Sequence, residues 1–143
     1  MKPRRVLHVL GTAEPAGMGI FRMLESLAVA VDPARYEIHA CFLREGELAE
    51  RLQQVGVKST CINWSGSARD PWGSARYAAL LRSIEFSVIH QHTGGRLLTG
   101  MGHLLTGARI VRNLHGRASE FTGVVAPSCD LPRRDVLIAN CEL

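Results

Sequence analysis

Short β-branched and leucine-rich runs alternate with helix-length amphipathic segments along almost the whole chain, and this alternation restricts the fold more than any other feature. The first run, Arg4 to Leu10, is closed by Gly11 and followed by the turn-rich stretch Thr12 to Gly19. Ile20, Met23, Leu24, Leu27, Ala28 and Val31 then recur at helical spacing until Asp32-Pro33 stops them. Glu37–Leu43 reads as a second strand, Glu47–Val55 as a second helix ending at Gly56, and Val57–Ile62 as a third strand. Asn63–Asp70 is polar and rich in serine and glycine, so it reads as a loop before a helix opened by Pro71 and running to about Ser83. Ser87–Gln91 is a fourth strand, Arg96–Thr106 a fourth helix and Ala108–His115 a fifth strand. Strands alternating with helices at this spacing predict an α/β fold, a three-layer α/β/α sandwich with a mostly parallel sheet and right-handed crossovers.

Residues 117–134, with Gly123, Pro127, Pro132 and the Arg133-Arg134 pair, are the least regular stretch and read as a long connection. Asp135–Ala139 looks like a last buried strand, and Asn140-Cys141-Glu142-Leu143 like a helix cap and an abandoned first turn. The expectation is a single domain over 1–143 that forms half of a larger protein, its carboxyl-terminal domain absent.

With 46% hydrophobic residues, the 143-residue chain has the material for one core. No apolar run reaches the roughly 18 residues needed to span a bilayer, and Met1-Lys2-Pro3-Arg4-Arg5 leads into too few apolar positions for a signal peptide. A cytoplasmic location is expected. Cys41, Cys61, Cys129 and Cys141 are scattered without a C-x-x-C pair, which predicts free thiols. The net charge of +4 is carried mostly by arginine, which suits an anionic ligand or an acidic membrane surface. The arginines are dispersed and no basic stripe with interleaved aromatics occurs, so nucleic acid is not an expected partner.

Ligands of such folds bind beyond the carboxyl ends of the strands, and the unusual polar residues cluster there in the sequence. Gly17-Met18-Gly19 precedes the first helix, where unpaired N–H groups favour a phosphate or another anion. The stretch lacks the Gly-Lys-Ser/Thr of a Walker A loop, and Arg22 occupies the third glycine position of a dinucleotide fingerprint. His90 and His92, two apart at a strand end, share one face and can order a substrate hydroxyl. With no carboxylate or cysteine at a matching spacing, no metal is expected. His115-Gly116 closes the fifth strand, and an imidazole there can donate to a sugar hydroxyl or a phosphate. Glu14 and Glu120 are the acids placed to assist near the crevice. His8 and His39 read as core or surface residues within strands, and His103 falls on the fourth helix.

Four segments in order resemble the amino-terminal domain of GT-B glycosyltransferases of family four: Arg5 to Leu10 with the glycine loop to Gly19, Phe86 to His92, Leu105 to Gly116, and Asp135 to Cys141. The resemblance covers nearly the whole chain. It implies a Rossmann-like domain, the amino-terminal half of a GT-B fold, in which this half holds the acceptor and an absent carboxyl half holds a nucleotide-diphosphate sugar. Transfer in that family retains the anomeric configuration without a bound metal or cofactor. By resemblance, Gly17 and Gly19 would lie against the donor diphosphate, His115 would be catalytic near the transferred sugar, and His90 and His92 would face the acceptor. Met18 interrupts the usual glycine pair, Ser87 replaces a common aspartate, and Cys141 replaces a common serine.

The resemblance implies a glycan or lipid-linked acceptor, peripheral contact with the inner membrane face, and a carboxyl-terminal GT-B domain supplied in cis or in trans. The chain alone is expected to be inactive. The alternative is a non-catalytic binding or assembly subunit that pairs with a separate donor-binding chain.

Overall fold

The computed structural model describes residues 2–14, 18–93, 96–117 and 136–142. Its elements run β1 (Arg4–Leu10), α1 (Met18–Ala30), β2 (Tyr36–Phe42), α2 (Leu48–Gln54), β3 (Lys58–Cys61), α3 (Pro71–Ser83), β4 (Val88–Gln91), α4 (Arg96–Leu105), β5 (Arg109–Arg117) and β6 (Val136–Glu142). The six strands form one sheet in the order β3-β2-β1-β4-β5-β6, and every neighbouring pair is parallel. This is the α/β sandwich with a parallel sheet that the alternation predicts, and it is Rossmann-like, as the resemblance implies.

Two apolar cores lie on opposite faces of the sheet, because strand side chains alternate between faces. Leu10, Ile38, Ala40 and Phe42 pack with Phe21 and Leu24 of α1 and with Leu48 and Leu52 of α2. Leu7, Val9, Cys41, Ile89 and Ile110 pack on the other face with Tyr77 and Leu81 of α3 and Leu98 of α4. Within α1 the buried stripe centres on Phe21 and Leu24, whereas Met23, expected in that stripe, is 39% exposed. The helix turns its largest apolar ring inward, and Met23 lies about 200° from Phe21 around the helix axis.

Trp64 lies in the polar loop between β3 and α3 and is buried in the second core. Its N–H bonds Leu43 O at 2.7 Å, its indole Nε1 donates to Ser67 O at 3.1 Å, and its ring tilts against Tyr77 at 5.6 Å. The loop reaches that position through left-handed backbone at Asn63 (φ 46°) and Gly66 (φ 76°). Asp70 then caps α3, its Oδ1 accepting from the Gly73 N–H at 2.9 Å, with Pro71 in the first turn.

The expected helix start at Asn140–Leu143 is overturned through Glu142, since β6 continues as strand to that residue. His115, Gly116 and Arg117 of β5 pair in register with Asn140, Cys141 and Glu142. A parallel ladder supplies the backbone donors and acceptors of this segment and outweighs the local capping preference of an asparagine. Position 117 also belongs to β5 rather than to the irregular connection, whose remaining positions 118–134 lie outside the described residues.

Candidate functional site

In the order β3-β2-β1-β4-β5-β6, the chain runs outward in one direction from β1 and in the other from β4, so the topology reverses between these two strands. A crevice opens at the carboxyl ends of such a pair because the two connections leave in opposite directions. Here the strand ends touch. Gly11 follows β1, Thr93 follows β4, and a Cβ on Gly11 would lie 3.4 Å from Thr93 Oγ1. His92 N donates to Val9 O at 2.9 Å and extends the β1–β4 contact past the end of β4.

The loop leaving β1 is anchored before it reaches α1. Ala13 is fully buried, its N–H bonds Arg44 O at 3.3 Å, and its carbonyl accepts from Leu48 N at 2.9 Å. Glu14, next in the loop, is exposed, and its backbone N–H bonds Thr12 Oγ1 at 3.2 Å. Gly17 lies outside the described residues. Gly19 is exposed in the first turn of α1 rather than at the end of a loop, and a Cβ there would meet nothing within 4 Å.

That open space separates two roles for Gly19. Gly19→Ala is expected to leave stability unchanged or raise it by up to about 1 kcal/mol, since alanine is the better helix former. In a titration with inorganic pyrophosphate the same variant is expected to bind at least about tenfold more weakly if the open space admits a diphosphate. Thermal unfolding and ligand titration of one protein preparation measure both.

His8 of β1 and His90 of β4 are register partners and therefore project from the same face. His92, two residues after His90, joins them. The ring centroids are 5.0 Å apart for His8 and His90, 5.3 Å for His8 and His92, and 4.1 Å for His90 and His92. His8 and His92 are nearly parallel and meet through a 3.0 Å contact between His8 Nδ1 and His92 Nε2. The amide of Asn113 on β5 lies behind His92, with Nδ2 at 3.2 Å from Nδ1. With that amide orientation, Nδ1 of His92 accepts, its proton sits on Nε2, and it donates to His8. The remaining His8 proton then sits on Nε2, which is buried and has no hydrogen-bond partner among the described residues.

Burial, with the charges of His90 and His92 adding to it, pushes the His8 imidazole from its ordinary 6.5 down to about 3. In the unfolded chain His8 takes up a proton near pH 6.5, whereas in the folded chain it does so only near 3. Its contribution to stability is therefore complete above about pH 6.5 and is lost progressively as the pH falls towards 3. Urea unfolding between neutral pH and pH 4 is expected to show this decline, and a His8→Gln variant a flatter profile.

The predicted pair His90 and His92 is thus brought together, with His90 partly exposed and His92 buried. His115 and Gly116 lie on β5, paired with Asn140 and Cys141 of β6. Glu120 lies outside the described residues. His39 is buried on the opposite face, edge-on to Phe86 at 5.3 Å, and His103 sits on α4. His8 was absent from the sequence-based candidates because a histidine within an apolar strand carries no local signal. Only the pairing of β1 with β4 puts it beside His90.

Cys41 is a free, buried thiol pushed up to about 12 by burial, with Cys61 adding to the shift, so it is inert as a nucleophile near neutral pH. No helix among the described residues is long and apolar enough to cross a membrane. No known protein family, curated protein or solved structure matches the chain.

Proposed function

We propose that the chain is the acceptor-side half of a retaining glycosyltransferase that moves a sugar from a nucleotide-diphosphate sugar to a glycan or lipid-linked acceptor. The observation that carries this reading is the close approach of Gly11 and Thr93 at the β1/β4 reversal, where α/β domains bind ligands, with the partly exposed His90 on β4 three residues before Thr93. The four segments resembling family-four glycosyltransferases support it independently. In this reading His90 orients an acceptor hydroxyl, and the backbone N–H groups at the start of α1 face the donor diphosphate. His115 donates to the transferred sugar. A carboxyl-terminal domain, in cis or in trans, brings the donor, and closure supplies proximity while fixed donors stabilise the leaving diphosphate. The basic balance of the chain suits a lipid-linked acceptor at an anionic membrane face, which is the cytoplasmic face in this proposal.

Two-dimensional NMR of the chain with lipid-linked glycan analogues tests the reading. Shifts confined to Gly11, His90, Thr93 and their neighbours are expected. Shifts produced there by NAD or NADP and not by glycans would replace it with a dinucleotide enzyme. In a preparation containing both halves, His115→Ala is expected to lower the transfer rate by about 10-fold to 100-fold, the value of one hydrogen bond to a charged transition state. An unchanged rate would remove the catalytic role of His115.

A further inference from the structure

We propose that His8, His90 and His92 form a binding site for one divalent transition-metal ion of the imidazole-preferring class, with zinc as the reference ion. One ring nitrogen from each of the three lies within 4.8 Å of the others. Two separate features of the fold hold them together: the β1–β4 register sets His8 beside His90, and the two-residue strand period sets His92 beside His90. The site rests on this geometry and not on the glycan reading; with an ion bound, His90 would meet an acceptor hydroxyl through the ion's open position and not directly.

Zinc holds imidazole nitrogens at about 2.0–2.1 Å, so two ligands at a tetrahedral ion stand about 3.3 Å apart. The His8 Nδ1 to His92 Nε2 separation is 3.0 Å, so an ion between them needs an opening of a few tenths of an ångström and a rotation of the rings. The surroundings favour that exchange. Metal-bound imidazoles almost always donate their second N–H to an oxygen behind them. Asn113 supplies that oxygen: its Oδ1 is buried without a hydrogen-bond partner among the described residues, and its amide lies against His92 Nδ1. Turning the amide by 180° puts Oδ1 where Nδ2 now stands, ready to accept the Nδ1–H of a His92 that binds metal through Nε2.

Three imidazoles leave the fourth position of a tetrahedral ion open, the arrangement of zinc sites that take a water or a substrate oxygen. His90 is the most exposed of the three, so the open position would receive an oxygen ligand from its side of the cluster. Thiolates are absent from this set, which favours zinc, cobalt, nickel or copper(II) over soft copper(I).

The test uses the whole chain, stripped with chelator and titrated with cobalt(II) and then zinc. One equivalent of cobalt is expected to give the intense visible absorption of a four-coordinate site and to be displaced by one equivalent of zinc. Zinc is expected to shift the imidazole resonances of His8, His90 and His92 and to leave those of His39 and His103 in place. His90→Gln is expected to weaken zinc binding by at least about 100-fold, and His103→Gln to leave it unchanged. If His90→Gln does not fold, as read by circular dichroism, the imidazole shifts of the unaltered chain decide alone. Weak binding of several ions, a six-coordinate cobalt spectrum, or shifts centred on other histidines would overturn the site.

Discussion

Trp64→Ala is expected to destabilise the fold by about 3–5 kcal/mol, the range for deleting a fully buried aromatic side chain. Trp64 is 1% exposed and belongs to the apolar core that also holds Leu43, Tyr77, Leu81 and Leu98 on the α3/α4 face. The same indole sets a limit on its neighbour. A Cβ on Gly73 would overlap the Trp64 ring at Cγ and Cδ1 and lie 2.6 Å from its Cβ. Gly73→Ala is therefore expected to cost on the order of 3 kcal/mol by overpacking. In the Trp64→Ala background most of that cost should be relieved, because the ring atoms are gone and only the Cβ at position 64 still stands close, so the two changes are coupled. Urea unfolding of the two single variants and the double variant measures the coupling; additive effects would show that the loop is not seated against α3.

Gly46→Ala is expected to be as damaging, through the backbone and close to the crevice. A Cβ there would collide with the Ala13 carbonyl group and lie 2.6 Å from Glu14 N. No rotamer change relieves a clash with main chain, so the β1–α1 loop must move or Gly46 must shift with the start of α2. Either movement strains the hydrogen bonds from Ala13 N to Arg44 O and from Leu48 N to Ala13 O that anchor the loop. A loss of about 3 kcal/mol is expected, with amide shifts concentrated at Gly11, Ala13 and Glu14. Gly19→Ala, whose added methyl enters open space, is the control. If Gly46→Ala unfolds like the unaltered chain, Ala13 does not hold the loop.

The periodic segments were readable along the chain because each carries its own signal. Arg4–Leu10 and Pro71–Ser83 match the observed β1 and α3 residue for residue, since a strand closed by glycine and a helix opened by proline have local markers at those ends. The sharing of one face by His90 and His92 was readable for the same reason. Trp64 was not readable, since a loop of serine, glycine and asparagine gives no periodicity from which to infer burial. Asn140 was misread because its capping preference is local, whereas the β5–β6 ladder that claims it comes from residues more than twenty positions earlier.

By itself the sequence determined the alternation of strands and helices and the parallel character of the sheet. These follow from hydrophobic period and turn chemistry, which act over a few residues. The tertiary structure alone decided which strands are neighbours. From that came the β1/β4 reversal, the joining of His8 to His90 and His92, and the clamp of Gly46 on Ala13. Strand order depends on contacts between residues tens of positions apart, and in this chain the candidate site is made of those contacts.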